Sequence, residues 1–253
     1  MSTWRLVIVG LASAAGACAH HRAEVPVASL NQELAEVLVA HHAYEAAIPL
    51  LQDAVAREPH NARVRTMLGI VLRDHRVFAE ARKELGTAWR LDPTDADTAA
   101  AWGVLLDTEG EGEMADIWHR RSIALGGERA DHFNNLGFSQ FLRGQLTDAI
   151  ATYHHALSRD PGMRRVYNNL GFAQARLGRF DDAWQSFQQA APRARALSNL
   201  ALAYERAGSL REARAFYEEA LGIDAKLKVA RRNLERLAAA HPADPPAAEE
   251  ASR

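Results

Sequence analysis

Small and apolar residues recur along this chain at a fixed interval. A Leu-Gly pair or its equivalent stands at Leu34-Ala35, Leu68-Gly69, Trp102-Gly103, Leu136-Gly137, Leu170-Gly171 and Leu200-Ala201, stepping by 34 residues and by 30 at the last step. Twelve residues after each small residue is an alanine: Ala47, Ala81, Ala115, Ala149, Ala183 and Ala213. Seven further on comes a second small residue, at Ala54, Ala88, Ser122, Ala156, Ala190 and Ala220. Between the two lies a larger side chain: Leu51, Leu85, His119, Tyr153, Phe187 and Tyr217. A period of this kind marks a unit that stacks on copies of itself. Gly144, Gly178 and Gly208 predict turns in which a left-handed residue ends a helix. Asp92-Pro93 and Asp160-Pro161 predict helix stops, because the residue before proline avoids the helical region. Pro59 closes the first unit in the same way.

The strongest copies read "VYNNLGFAQARLGRFDDAWQSFQQA" and "NNLGFSQFLRGQLTDAIATYHHALSRDP". They resemble the tetratricopeptide repeat, a helix–turn–helix unit. The resemblance implies an all-α fold: an α-solenoid superhelix of about six repeats over residues 28–225. The expected units are 28–61, 62–95, 96–129, 130–163, 164–193 and 194–227. Small residues at the eighth and twentieth positions let two antiparallel helices approach closely, and the large residues fill the gaps between neighbouring pairs. The copies are unequal. The first has His42 where the turn glycine belongs. The third has "TEGEGE" at its turn, His119 at a large apolar position and Gly126-Gly127 in place of a closing proline. After the sixth copy, "KLKVARRNLERLAAAH" predicts an amphipathic helix over 226–240 that shields the open end of the stack. The Pro/Ala/Glu-rich stretch 241–253 has the composition of a disordered tail.

Charge narrows the range of partners. Lys+Arg number 30 against Asp+Glu 32, so the chain presents no general surface for nucleic acid. Cysteine is more informative, because there is one, Cys18, and it supports neither a disulfide framework nor a cysteine-based zinc site. The chain begins "MSTWRLVIVGLASAAGACAHH". Its apolar stretch is shorter than the ~20 residues a spanning helix needs and suits a secretory signal over 1–17. The small residues Ala15-Gly16-Ala17 before Cys18 resemble the lipobox of bacterial lipoproteins, with Ala15 where leucine is commonest. The resemblance implies that Cys18 is lipidated and begins the mature protein, with 18–28 as a tether. It also implies, with Ala19 next, an outer-membrane address facing the periplasm. Several acyl chains would make a firm anchor, at ~0.8 kcal/mol per buried methylene.

No nucleophile elbow, phosphate-binding loop, H-E-x-x-H or dinucleotide fingerprint is present. The histidine pairs His20-His21, His41-His42 and His154-His155 do not have the i, i+4 spacing that places two ligands on one helix face. Asp148 and Asp181-Asp182 fit helix starts, where a negative charge suits the dipole. The chain is therefore expected to be no enzyme and to hold no metal or cofactor. What remains is surface. In a tetratricopeptide stack, positions two, five, six, nine, twelve and thirteen of each first helix face the concave side. By that correspondence the ninth position gives Ile70, Val104, Phe138, Phe172 and Leu202, to which Phe141 and Leu142 add. The sixth gives Asn135, Asn169 and Asn199. These residues are the candidate groove: amides that can donate and accept beside an apolar stripe. Arg165, Arg176, Arg195 and Arg206 are too sparse for the basic clamp of tetratricopeptide domains that hold acidic chaperone tails.

The size, lipobox and six repeats together resemble the pilotin lipoproteins of type IV pilus systems, and equally the TadD-type lipoproteins of Flp pilus systems. The first resemblance implies a monomeric scaffold that binds secretin subunits and promotes assembly of the outer-membrane secretin ring. The alternative is an envelope adaptor that docks other periplasmic proteins, such as peptidoglycan enzymes.

Overall fold

The computed structural model describes residues 34–240, apart from residues 36, 40, 42 and 127. The expected signal 1–17, Cys18, the tether 18–28 and the tail 241–253 lie outside the described residues, as does His42. Residues 34, 35 and 37–39 are helical. Twelve helices follow: α1 (Tyr44–Arg57), α2 (Ala62–Asp74), α3 (Phe78–Leu91), α4 (Ala96–Glu109), α5 (Gly112–Gly126), α6 (Ala130–Leu142), α7 (Leu146–Arg159), α8 (Arg164–Arg176), α9 (Phe180–Ala190), α10 (Arg193–Arg206), α11 (Leu210–Ile223) and α12 (Lys228–Ala240). There is no strand among the described residues. Helices α2 and α3, α4 and α5, α6 and α7, α8 and α9, and α10 and α11 pack as pairs, and each pair packs on the next. Helix α12 lies against α10 and α11, as expected of a cap. The fold is the all-α solenoid that the period predicts.

One contact explains the fixed offset between the small and large positions. A Cβ placed on Gly69 would lie 2.6 Å from Leu85, on Gly103 2.5 Å from the His119 ring, on Gly137 2.7 Å from Tyr153 and on Gly171 2.6 Å from Phe187. In these four repeats the glycine of the first helix is thus the seat of the large side chain of its own second helix. Leu51, Leu85, His119, Tyr153, Phe187 and Tyr217 are all fully buried. Burial of the leucines and the phenylalanine among them contributes about 1.5–3 kcal/mol apiece.

The turns are equally repetitive. Gly110, Gly144, Gly178 and Gly208 have φ of 82°, 76°, 76° and 84°. In the second repeat the same place is held by Arg76, with φ 65°. After each, the next amide reaches back to the last turn of the helix: Val77 N to Leu72 O, Glu111 N to Leu106 O, Gln145 N to Gln140 O, Arg179 N to Gln174 O and Ser209 N to Tyr204 O, at 2.8–3.0 Å. This is the Schellman closure, which satisfies a carbonyl that would otherwise lack a partner. At the other junctions Asp92 (φ −139°, ψ 92°) and Asp160 (φ −137°, ψ 92°) are extended before proline. Asp92 also accepts hydrogen bonds from the Thr94 hydroxyl at 2.7 Å and the Thr94 amide at 2.9 Å. These hold its carboxyl below the usual range.

The third repeat departs from its neighbours. One apolar core cluster runs from Ala35 to Leu105 and another from Ala149 to Ala173. Between them the packing includes a polar network. Asp107 accepts from the Ser139 hydroxyl at 2.7 Å and meets His119 Nε2 at 2.8 Å. His132 Nδ1 lies 3.1 Å from the Ser122 carbonyl. His119 and His132 are buried, and these partners satisfy His119 Nε2 and His132 Nδ1, while His119 Nδ1 has no hydrogen-bond partner among the described residues. The acidic turn of this repeat is held rather than free: Arg82 of α3 bridges Glu109 at 2.5 Å and Glu111 at 2.7 Å.

Candidate functional site

The first helices of successive repeats share one face, and grooves run along it. The N-terminal part, about 890 Å³, crosses α2, α4 and α6. Ile70 and Val104 lie along it with Met67, and Asn135 closes one side. Its rim is charged in both senses, with Arg73 and Arg165 against Asp95 and Asp97. Arg129 pairs with Asp97 at 2.8 Å and with Asp131 at 2.7 Å. Burial raises the Asp131 carboxyl, but the hydrogen bond and charge of Arg129 and the nearby His132 outweigh this and hold it below its ordinary value.

The C-terminal part is aromatic. Phe138 and Phe141 of α6 stack at 6.3 Å between centroids. Phe172 of α8 meets Phe187 edge-on at 4.9 Å. Two small cavities, about 200 and 240 Å³, share Phe141, Phe172 and Arg206 as walls. The first is completed by Phe138, Tyr153, Asn168 and Asn169, the second by Ala175, Arg176, Ala203 and Ala207. Arg176 lies over the Phe141 ring at 4.9 Å and donates to the Phe141 carbonyl at 3.0 Å. Arg206 lies over Phe172 at 5.4 Å. Guanidinium groups over aromatic faces are attracted by the ring quadrupole, so these arginines are part of the aromatic site.

The expected groove residues differ in exposure. Phe138 is 43% exposed and Leu142 51%. Phe141, Phe172, Ile70, Val104 and Leu202 are half-buried. Phe172 therefore contributes to both groove and core, and Leu202 packs at the edge of the cluster around Leu197 and Tyr217. The asparagines form a ladder between repeats. Asn169 Nδ2 donates to Asn134 Oδ1 at 3.0 Å, and Asn199 Nδ2 donates to Asn168 Oδ1 at 2.7 Å. The sixth position of one repeat thus bonds the fifth position of the repeat before it. Each of Asn169 and Asn199 has one N–H committed to this link, and its carbonyl oxygen keeps the capacity to accept.

A further regularity emerges only in three dimensions. In the third and sixth repeats the twelfth position faces the large side chain of the second helix. Asp107 meets His119 there, and Glu205 accepts from the Tyr217 hydroxyl at 3.0 Å. Glu205 also pairs with Arg236 at 2.6 Å. Burial, and then the hydrogen bond to Glu205, raises the Tyr217 hydroxyl above its ordinary pKa. In the fourth repeat the twelfth position is Phe141, and the Tyr153 hydroxyl is buried with no hydrogen-bond partner among the described residues. Burial raises it as well. The signal available in the sequence was the constant separation of twelve residues (107 and 119, 205 and 217). It repeats one position earlier, where Thr152 donates to Gln140 and Ser186 to Gln174, both at 2.7 Å.

Ser139, Asp107 and His119 come together, but not as a catalytic triad. Both Ser and His bond the same carboxylate, so the serine is not placed against a base, as a nucleophile requires. Among the described residues there is no cluster of three or more metal-ligating side chains, and no helix is long and apolar enough to cross a membrane.

Against known proteins, tetratricopeptide repeat models match residues 38–104, 139–195 and 194–227. The type IV pilus assembly protein PilF of Pseudomonas aeruginosa is 33% identical over 89 residues, which are 35% of this chain and 34% of that protein. The chain therefore matches about a third of that relative's length. The crystal structure of PilW, a widely conserved type IV pilus biogenesis factor, superposes with a TM-score of 0.69 at 16% identity, over 83% of this chain and all of that one. A Pseudomonas aeruginosa PilF structure gives 0.61 at 16% identity, over 83% and 97%. At these identities the superpositions speak for the fold, and the repeat matches speak for the family. With helix pairs, turns and glycine seats in register through the stack, the chain belongs to the tetratricopeptide repeat proteins.

Proposed function

We propose that this protein is a lipid-anchored, pilotin-like scaffold of type IV pilus biogenesis, not an enzyme, that binds secretin subunits along its concave face. The observation that carries this reading is the sequence match to PilF. The groove supports it: Phe138 and Leu142 are large apolar side chains left exposed on the face that the first helices share. Exposed apolar surface of this sort favours a protein ligand. Cys18 and the small residues before it support the anchor and, with Ala19, an outer-membrane address facing the periplasm.

The test is genetic and biochemical together. Deleting the gene is expected to remove surface pili and the assembled secretin ring from outer membranes. Cys18→Ala is expected to leave the protein soluble in the periplasm without lipid label. Phe138→Ala with Leu142→Ala is expected to lose co-purification with the secretin while remaining folded. Normal secretin multimers and pili in the deletion strain would refute the reading. Cell-wall enzymes captured in place of secretin would transfer it to an envelope adaptor.

A further inference from the structure

We infer that the third repeat lays one face of its second helix, α5, on the surface of a lipid bilayer, and that this contact turns the concave face towards the periplasm. This deepens the proposed anchored scaffold. It rests on the Cys18 anchor for its strength and not on the identity of the partner.

One face of α5 departs from its counterparts. Ala115, His119 and Ser122 point into the stack and are buried. Met114, Ile117, Trp118, Arg121 and Leu125 recur at intervals of three and four, so they share a neighbouring face over about three turns. Met114 is 47% exposed, and Ile117, at 56%, is the most exposed large apolar side chain among the described residues. Other repeats are polar here. In place of Met114, the second, fourth, fifth and sixth have Glu80, Asp148, Asp182 and Glu212. In place of Ile117, the second and fifth have Lys83 and Gln185. The repeat fold is thus built elsewhere without these apolar side chains, and their exposure calls for a separate reason.

The surroundings have the chemistry of a membrane interface. Trp118 meets Trp89 of α3 edge-on at 4.9 Å and stacks on Trp102 of α4 at 5.6 Å. Arg121 lies over Trp89 at 4.8 Å. It has no carboxylate partner among the described residues, and Glu113 borders the face at the start of α5, so the stripe is close to neutral. Aliphatic side chains beside tryptophans and a long arginine settle at headgroup level. Size favours a bilayer over a protein. A stripe one helix wide falls well short of the roughly 800 Å² per partner that a stable protein interface buries. A small contact suffices when a tether already holds the protein at the surface. Sixteen residues separate Cys18 from Leu34, a reach of up to about 55 Å. Helices pack at roughly 8–10 Å between axes, so the third repeat lies within that reach. First helices of neighbouring repeats pack closely and second helices do not. The second helices therefore form the outer side of the curve, where a flat surface can touch α5 while the groove stays open.

The experiment places an NBD dye, which brightens in apolar surroundings, at Ile117→Cys. The full-length protein, as cells process it, is reconstituted in vesicles of phosphatidylethanolamine and phosphatidylglycerol; an acylated Cys18 does not take the dye. Emission is expected to be blue-shifted and severalfold above that of Gln185→Cys, the same position in repeat five, to be quenched by lipids brominated in their acyl chains, and to change little with salt. Met114→Glu with Leu125→Arg, whose counterparts are Glu80 and Arg159, is expected to return the dye to water-like emission while moving the melting temperature by no more than about 2 °C. Equal emission from the two positions, or emission untouched by the double variant, would overturn the inference. A second preparation separates the contact from the anchor: the Cys18→Ala chain, carrying the same dye, is held on nickel-chelating lipid by a C-terminal histidine tag. A blue shift there, with no lipid on the native Cys18, leaves the inference standing and removes the anchor. A lipidated Cys18 with a water-like dye in both preparations leaves the anchor standing and removes the inference. If the dye stays water-like and the double variant nonetheless loses pili, the stripe docks a protein and the inference falls.

Discussion

Two tyrosines in equivalent positions should respond in opposite directions to loss of their hydroxyls. Tyr217 donates to Glu205 at 3.0 Å, whereas Tyr153 has no protein partner among the described residues. Tyr217→Phe removes a hydrogen bond to a charged group, for which about 1.5–3 kcal/mol is typical. Glu205 keeps Arg236 at 2.6 Å, so the carboxylate is not left alone and the lower end, about 1.5 kcal/mol, applies. Tyr153→Phe removes an unpaired buried hydroxyl, whose desolvation costs about 1–3 kcal/mol. The variant recovers part of that cost but forgoes the dispersion attraction of the oxygen atom, so the expected result is neutral to about 1 kcal/mol more stable. Phe187, fully buried over Gly171, shows that the seat accepts a phenylalanine ring. Urea denaturation followed by far-UV circular dichroism gives both values from midpoint shifts at constant slope. At about 2–4 °C per kcal/mol, thermal melting should separate the variants as well. If Tyr153→Phe destabilises as much as Tyr217→Phe, the Tyr153 hydroxyl has a partner and the twelfth-position argument is wrong.

Three further outcomes follow from the same geometry. Arg76→Gly relieves a left-handed backbone that four equivalent turns assign to glycine, and should raise stability by about 1 kcal/mol in the same denaturation assay; no gain would mean that the contact of Arg76 over Phe78, at 5.6 Å, matters more. Asp107→Ala leaves His119 and Ser139 buried without their shared acceptor and should cost about 3 kcal/mol, with faster amide exchange concentrated in α4 to α6. Phe138→Ala, at 43% exposure, should cost under about 1 kcal/mol, whereas Phe172→Ala, packed on Phe187 at 4.9 Å, should cost about 2 kcal/mol or more; equal melting of the two variants would contradict this division between groove and core.

The sequence by itself determined the repeat, and with it the fold. The reason is local: a helix pair with a small residue under a large one, a left-handed turn and a proline stop is written within one unit, and copying the unit copies the contact. Gly137 under Tyr153 and Gly171 under Phe187 are the same arrangement in two places, and Gly144 and Gly178 close their helices in the same way. The candidate groove was legible only as a set of positions, because a position fixes the direction of a side chain but not its partner. Whether Asn169 faces a ligand or Asn134 depends on how far one repeat is rotated against the next. Arg176 and Arg206 looked sparse along the chain, yet each lies over a phenylalanine of the preceding repeat. His119 read as an irregularity until Asp107 and Ser139 were seen to close a polar junction around it. Contacts within a unit have a fixed separation along the chain and can be read from it. Contacts between units depend on the packing angle of one helix pair on the next, which the shapes of many side chains set together, and so only the tertiary structure decided that Tyr153 would be buried with its hydroxyl unpaired.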